Sequence, residues 1–323
     1  YTATIGVGLG NYTLIVDTGS SDTWIGATNP YLPGPNSKDL GSPIGVSYGS
    51  GNFLGEEYTD SVTIGSTIIA NQIIGVANQS SGFTGYDGIL GLGPDTLTPS
   101  TTPGGDVIPT VTDSMASQGL IASALVGVSF VPTISNATQQ SGDLHFGQTD
   151  PTKFTGNITF TPTTSTYPAS AYWGINQTVT YGSSNLPILP LTSGMVDTGT
   201  TLTVLATDAF QAYQAATGAT LDSATGLLTI TDTSNLKSLF FNIGGTNFEF
   251  TANAQIWPRQ FNSKIGGEEG KTYLVFADIG YPSGQGLDFV NGFTFLQRFY
   301  SVYDTHNSQI GFATTPHTMD KTN

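Results

Sequence analysis

The chain has 323 residues, 8 of them Lys or Arg and 23 Asp or Glu, for a net charge of −15 at pH 7, with no cysteine and only 10% charged residues. At roughly 150 residues per domain this is two domains or one large one, its surface made of hydroxyls and amides in place of the roughly 25% charge of an average soluble chain. Eight scattered cations cannot track a phosphate backbone or an anionic bilayer, the absence of Cys excludes disulfides and thiolate metal sites, and no apolar run approaches the roughly 18 residues that span a membrane, so neither nucleic acid nor membrane is an expected partner.

Tyr1 opens directly into an alternating strand, as expected of a mature, soluble chain. Short β-branched and aromatic runs between Gly, Asn, Asp and Pro predict strands over residues 2–7, 12–16, 45–48, 57–64, 68–76, 124–130, 144–146 and 156–160. Helices are few: residues 108–118 begin at a Pro and meet Gly119, residues 207–217 run into Gly218, and residues 236–239 form at most one turn. The class is mainly β, and an alternating βαβ architecture is excluded.

The decisive feature is an internal repeat. Leu14-Ile15-Val16-Asp17-Thr18-Gly19-Ser20-Ser21 returns as Gly194-Met195-Val196-Asp197-Thr198-Gly199-Thr200-Thr201, 180 residues further on. A weaker echo links residues 87–93 (DGILGLG) to residues 289–295 (FVNGFTF). A single period of this length is too long for a solenoid and predicts two related lobes. With a switch near residues 162–168, the N-terminal lobe is residues 1–162 and the C-terminal lobe residues 163–323.

A strand that ends in Asp-Thr-Gly and two hydroxyl residues can present a carboxylate on a tight turn, because Gly permits a left-handed backbone and close approach of another chain segment. Two such carboxylates a few ångströms apart cannot both ionise. They share one proton, the ionised oxygen activates water, and the proton passes to a carbonyl oxygen, which is general acid and base chemistry without metal or nucleophile. A single Asp-Thr-Gly is more often an ordinary turn whose Asp accepts local backbone hydrogen bonds. Two copies in matching apolar contexts, half a chain apart, favour catalysis by Asp17 and Asp197.

These residues resemble the pepsin-like aspartic endopeptidases, and among them the cysteine-free, polyporopepsin-type acid proteinases of fungi. The resemblance spans nearly the whole chain and includes Trp24 seven residues after Asp17, the hairpin Val46-Ser47-Tyr48-Gly49-Ser50-Gly51, residues 87–93, Tyr172-Trp173-Gly174-Ile175 and residues 299–304. It implies a bilobal fold of two β-barrel-like lobes with the active-site cleft between them. It implies hydrolysis of polypeptides, inhibition by statine-type peptides, a monomer, secretion to the extracellular space, and no cofactor or metal.

By the same resemblance, Asp17 and Asp197 hold the lytic water. Gly19 and Gly199 give backbone N–H groups to the carboxylates, Thr18 and Thr198 cross-link the two loops, and Ser20 and Thr200 bond the outer carboxylate oxygens. Tyr48, Gly49 and Ser50 form a mobile flap, with the Trp24 indole N–H on the Tyr48 hydroxyl. Ile15, Tyr48, Phe83 and Ile89 line an apolar pocket for the residue before the cut, and Tyr172, Met195, Gly199, Thr200 and Thr201 line other subsites. Ser50 stands where some fungal relatives carry an Asp that accepts lysine, which implies a preference for apolar or aromatic residues and poor activation of trypsinogen. The chain departs from the pattern in its short interval between Asp17 and Tyr48, its first hairpin turn, its lack of a lead segment before Tyr1, which predicts an altered or incomplete inter-lobe sheet, and Asn291, where an apolar residue is usual. The alternative is a catalytically inactive, pepsin-like binding or inhibitor protein, of the kind that loses a dyad Asp or the flap Tyr.

Five sequons, at Asn11, Asn78, Asn136, Asn157 and Asn176, would permit N-glycosylation in a secretory pathway. His145, His306 and His317 have no metal-ligand spacing. So few cations limit self-repulsion once the carboxylates are protonated, which predicts a fold that survives acid.

Overall fold

The computed structural model describes residues 1–133 and 141–323, and packing density divides them into one unit of residues 1–125 with 146–148 and another of residues 126–145 with 149–323. In the first unit, β1 (Thr2–Val7), β2 (Gly10–Asp17), β3 (Trp24–Ile25), β4 (Lys38–Tyr48), β5 (Gly51–Ile64), β6 (Thr67–Ser81) and β7 (Gly88–Gly91) form one sheet in the order β1-β2-β7-β3-β6-β5-β4. That sheet curls on itself, because β1 pairs with β5 as well as with β2. The period of two that marks these strands in the sequence is the period of burial: Ile5 and Val7 of β1, and Tyr12, Leu14 and Val16 of β2, all point into the core.

Helix α1 (Val111–Ser117) starts later than its sequence pattern, because Thr110 caps it. The Thr110 hydroxyl accepts from the Asp113 N–H while the Asp113 carboxylate reaches back to the Thr110 N–H, leaving Ile108 and Pro109 outside.

In the second unit, β8 (Leu125–Phe130, reaching back one residue into the first unit), β9 (Gly142–Phe146, whose last residue is assigned to the first unit) and β10 (Thr155–Pro162) are followed by β11 (Gly174–Tyr181), β12 (Leu186–Val196), β13 (Thr203–Leu205) and α2 (Thr207–Thr217). Then come β14 (Thr220–Asp222), β15 (Leu227–Thr229), β16 (Leu239–Ile243), β17 (Thr246–Phe250), β18 (Phe276–Asp278), β19 (Phe289–Asn291), α3 (Phe293–Leu296), β20 (Phe299–Asp304) and β21 (Gln309–Thr314). One sheet has the order β17-β16-β11-β12-β19-β13-β18 and another the order β10-β21-β20-β8-β9. Because β8 and β10 share that second sheet with β20 and β21, the unit reaches back to Val126, ahead of the Pro162 boundary expected from the sequence.

Residues 236–239 are not helical. Leu236 to Ser238 are loop and Leu239 opens β16, where its side chain is fully buried and pairing with Tyr181 and Phe250 wins over local propensity. Phe295 of α3 anchors an aromatic core, with ring centroids 4.8 Å from Phe241 and 4.7 Å from Phe299.

Charge is unevenly divided. Lys38 is the sole Lys or Arg of the first unit, against ten Asp and Glu. Every ion pair among the described residues lies in the second unit, such as Lys153 with Asp143 at 2.6 Å and Lys271 with Glu268 at 2.7 Å.

Candidate active site

The repeat seen in the sequence is a repeat of topology. In the first unit β2 runs parallel to β7, β7 antiparallel to β3 and β3 parallel to β6. In the second β12 runs parallel to β19, β19 antiparallel to β13 and β13 parallel to β18. The strands β1 and β11 pair antiparallel with β2 and β12 in turn, so five strands match in order and direction. Each set delivers an Asp where its second strand, β2 or β12, ends.

Glycine makes the crossing possible. Asp17 lies opposite Gly91, the Leu92 N–H donates to the Asp17 carbonyl at 2.8 Å, and a Cβ on Gly91 would stand 2.4 Å from the Ser21 carbonyl carbon. In the second unit the Asp197 N–H donates to the Asn291 carbonyl at 3.1 Å, and a Cβ on Gly292 would meet the Leu202 carbonyl oxygen at 2.1 Å. Only a residue without a side chain lets these strands pass beneath the loops.

The two carboxylates have the same cradle. Asp17 Oδ1 accepts the Gly19 N–H at 2.9 Å and Oδ2 accepts the Ser20 hydroxyl. Asp197 Oδ1 accepts the Gly199 N–H at 2.8 Å and Oδ2 accepts the Thr200 hydroxyl at 2.5 Å. Each Asp is 6% exposed, so these bonds hold the carboxylates at nearly buried positions. Thr18 and Thr198 are buried behind them.

The first unit adds a hydrogen-bonded chain to Asp17. The Trp24 indole Nε1–H donates to the Tyr48 hydroxyl at 2.9 Å. Ser20, which holds Asp17 in turn, also acts on the Tyr48 hydroxyl. Burial, reinforced by the charges of Asp17 and Asp22, holds the Tyr48 hydroxyl well above its ordinary range, so it stays protonated. Tyr48 closes a two-residue hairpin loop, Gly49-Ser50, with both loop residues exposed. The backbone of that tip lies against Gly82, where a Cβ would come 2.1 Å from the Ser50 carbonyl oxygen.

Beneath the hairpin, Trp24, Phe83 and Ile89 are buried together with Ile44, Phe53 and Ile108, and Ile15 and Tyr48 pack on them half-buried. Trp24 stacks on Phe53 at 4.3 Å and meets the edge of Phe83 at 4.9 Å. The four expected pocket residues Ile15, Tyr48, Phe83 and Ile89 thus belong to one cluster, with Phe83 and Ile89 as its buried wall. In the second unit Met195 pairs with Gly174, Tyr172 follows a one-turn 3-10 segment, and Thr201 lies exposed beside the Asp197 loop, its carbonyl accepting the Thr294 N–H at 3.1 Å. Asn11, Asn78, Asn157 and Asn176 are exposed, and Asn136 lies outside the described residues.

Further contributors escape a reading of the sequence. Asn291, flagged only as unusual, forms a reciprocal amide pair with Gln177, at 2.8 Å and 3.2 Å, with both side chains fully buried under the Asp197 loop. Asp22 is buried close enough to Tyr48 for its charge to act on that hydroxyl. Matching buried acids, Asp87 and Asp288, tie the loops of each repeat. Asp87 accepts the Thr13 N–H at 2.7 Å and Asp288 the Gly284 N–H at 2.7 Å.

This duplicated fold and cradle define a class, and comparison agrees: residues 1–315 match the family described as eukaryotic aspartyl protease, and the chain belongs to it as a pepsin-like aspartic endopeptidase, a hydrolase of polypeptides. Within the family it is 55% identical to polyporopepsin of Irpex lacteus, over 100% of this chain and 96% of that protein. The crystal structure of aspartic proteinase from Irpex lacteus superposes with a TM-score of 0.97, covering 100% of this chain and 96% of that one. Rhizopuspepsin of Rhizopus chinensis is 33% identical over 93% of this chain and 74% of its own, and pepsin A of Canis lupus familiaris 27% over 97% and 80%. No helix among the described residues is long and apolar enough to cross a membrane.

Proposed function

We propose that Asp17 and Asp197 act as one dyad that shares a proton, with Asp197 as the ionised base that takes a proton from water and Asp17 as the acid that protonates the scissile carbonyl oxygen. The observation that carries this reading is the identity of the two cradles. In each, an N–H two residues on and a hydroxyl three residues on hold the two oxygens of the Asp carboxylate. A binding protein has no need of two such cradles, and the presence of both Asp, Tyr48 and Trp24 weighs against an inactive relative.

The hairpin bearing Tyr48, Gly49 and Ser50 serves as a flap that closes over substrate and excludes water. The apolar cluster of Ile15, Tyr48, Phe83 and Ile89 supports a preference for apolar and aromatic residues before the cut, with Tyr172, Met195 and Thr201 on other subsites. Ser50 supplies no charge for lysine, so trypsinogen is a poor substrate. The enzyme acts as a secreted, extracellular monomer, is bound by statine-type peptides, and carries glycans on exposed sequons among Asn11, Asn78, Asn157 and Asn176.

The test is hydrolysis of denatured globin at roughly pH 3.5, with and without a statine-type peptide. Asp197→Asn is expected to abolish cleavage while its thermal unfolding stays close to that of the parent; substantial residual cleavage by this variant would overturn the dyad.

A further inference from the structure

Ser20 and Thr200, whose hydroxyls bond the two carboxylates, share a second feature. The carbonyl of each is held by the segment that crosses beneath its loop: the Gly93 N–H donates to the Ser20 carbonyl and the Phe293 N–H to the Thr200 carbonyl, both at 2.8 Å. Each hydroxyl is therefore only as well placed as that crossing segment. Beyond the crossing the two units part. In the first the chain runs into Pro94, whose carbonyl accepts the Ser21 hydroxyl, so the loop braces its own support. In the second it enters α3, where the Thr294 N–H adds a bond to the Thr201 carbonyl at 3.1 Å.

A helix of four residues cannot fix its own position. Phe295 packs α3 on the aromatic core, and the residue that follows its C-cap, Arg298, ties down its far end. Arg298 is only 1% exposed. Its guanidinium is covered by a strap, residues 317–322, that follows β21. Nη1 donates to the Asp320 carbonyl at 2.6 Å and the His317 carbonyl at 3.4 Å, and Nη2 to the Thr322 hydroxyl at 3.1 Å. The strap answers from its own side, because the Thr318 hydroxyl donates to the Arg298 carbonyl at 2.6 Å. It is anchored elsewhere in the unit by the Thr322 N–H, which donates to Asn253 Oδ1 at 2.7 Å, and by Asn323 Nδ2, which donates to the Ile256 carbonyl at 3.0 Å. A guanidinium withdrawn from water is tolerated only while it is hydrogen-bonded, and bonds from a charged donor are about twice as strong as neutral ones. Strap and helix end thus hold one position together.

We propose that Arg298 is a positioning residue for the reaction: by clamping the end of α3 to the strap of residues 317–322, it fixes the Phe293 and Thr294 N–H groups that set the Thr200 hydroxyl on Asp197. The linkage runs through successive contacts, from guanidinium to strap, along α3 to the Thr200 carbonyl, and from the Thr200 hydroxyl to Asp197 Oδ2. It ends on the cradle of the carboxylate, so it bears on turnover more than on substrate binding. This rests on the dyad reading, because turnover is its readout.

Two variants and one conservative control test this. Arg298→Met keeps an apolar stem and removes every donor. In globin hydrolysis at roughly pH 3.5, measured below the unfolding transition, its kcat is expected to fall about tenfold, the scale of one hydrogen bond, with KM within about twofold of the parent. In the same variant the Phe293 and Thr294 amides are expected to lose protection from hydrogen exchange. Thr322→Val deletes the acceptor of Nη2 and is expected to lower kcat about threefold with KM again held, whereas Thr322→Ser retains the hydroxyl and is expected to keep the parent rate. An Arg298→Met enzyme that unfolds at lower temperature but turns over as the parent does makes Arg298 a purely structural anchor and overturns the proposal. Where that variant does not fold, an unchanged kcat in Thr322→Val does the same. A loss that appears in KM alone, or a Ser variant that behaves as the Val variant does, also overturns it. Failure of the dyad would appear instead as activity in Asp197→Asn, with exchange at Phe293 and Thr294 still reporting the clamp.

Discussion

Replacing Asn291 by Leu tests how the Asp197 loop is supported. The two side chains share the same branching and number of heavy atoms, so the change is chiefly chemical: the Gln177 side chain loses the carbonyl that accepts its N–H at 3.2 Å and the N–H that its own carbonyl accepts at 2.8 Å. Both residues are fully buried, and water cannot substitute. Leaving a buried polar group without a partner costs about 1–3 kcal/mol, and two groups are orphaned, so the single variant should lose about 2–5 kcal/mol. At about 2–4 °C per kcal/mol for a unit of this size, the transition of the second unit should fall by roughly 5–15 °C in differential scanning calorimetry. Replacing both partners, Gln177→Leu with Asn291→Leu, removes the need for a hydrogen bond and should recover most of that loss, so the double-mutant cycle should show a coupling of about 2 kcal/mol or more. A single variant with the parent's transition, or a double variant no more stable than the single, would refute the role given to the pair.

Gly292→Ala places a methyl group 2.1 Å from the Leu202 carbonyl oxygen and 2.6 Å from that of Thr200, so globin cleavage should be lost, and a soluble variant with half the parent rate would contradict the close crossing. Trp24→Phe keeps an aromatic ring near Phe53 and Phe83 but deletes the donor to Tyr48, which should lower kcat/KM about tenfold, a value near one hydrogen bond. An unchanged kcat/KM would show that Tyr48 is oriented without it. Thr110→Ala removes the capping box of α1 and should cost about 1 kcal/mol in the denaturant unfolding of the first unit, with activity at roughly pH 3.5 retained.

The site was legible because its chemistry is local and repeated. Asp, Gly and hydroxyl at offsets of zero, two and three form the cradle with no help from distant chain, so two copies of the tripeptide context announce two copies of the geometry. Long alternating strands were equally plain, and β1 and α2 end where the pattern ends. The three-residue strands β13, β18 and β19 were not, since so short a run has no period and is held by its neighbours. The start of β4 at Lys38 is hidden by the Gly, Ser and Pro within it, which register irregularity between Asp39 and Pro43 accommodates. Asp22 reads as one more turn acid until its burial is known, and Asn291 reads as a defect until Gln177 arrives from 114 residues away.

The division of charge between the two units has a consequence for what acidity means to this molecule. The second unit carries its own positive partners, whereas the first has Lys38 and ten carboxyl groups. For that unit protons are the counterions: lowering the pH does for its mutual repulsions what added salt does for an ordinary acidic protein, but it acts at each oxygen, and reaches buried groups such as Asp22 that dissolved ions cannot approach.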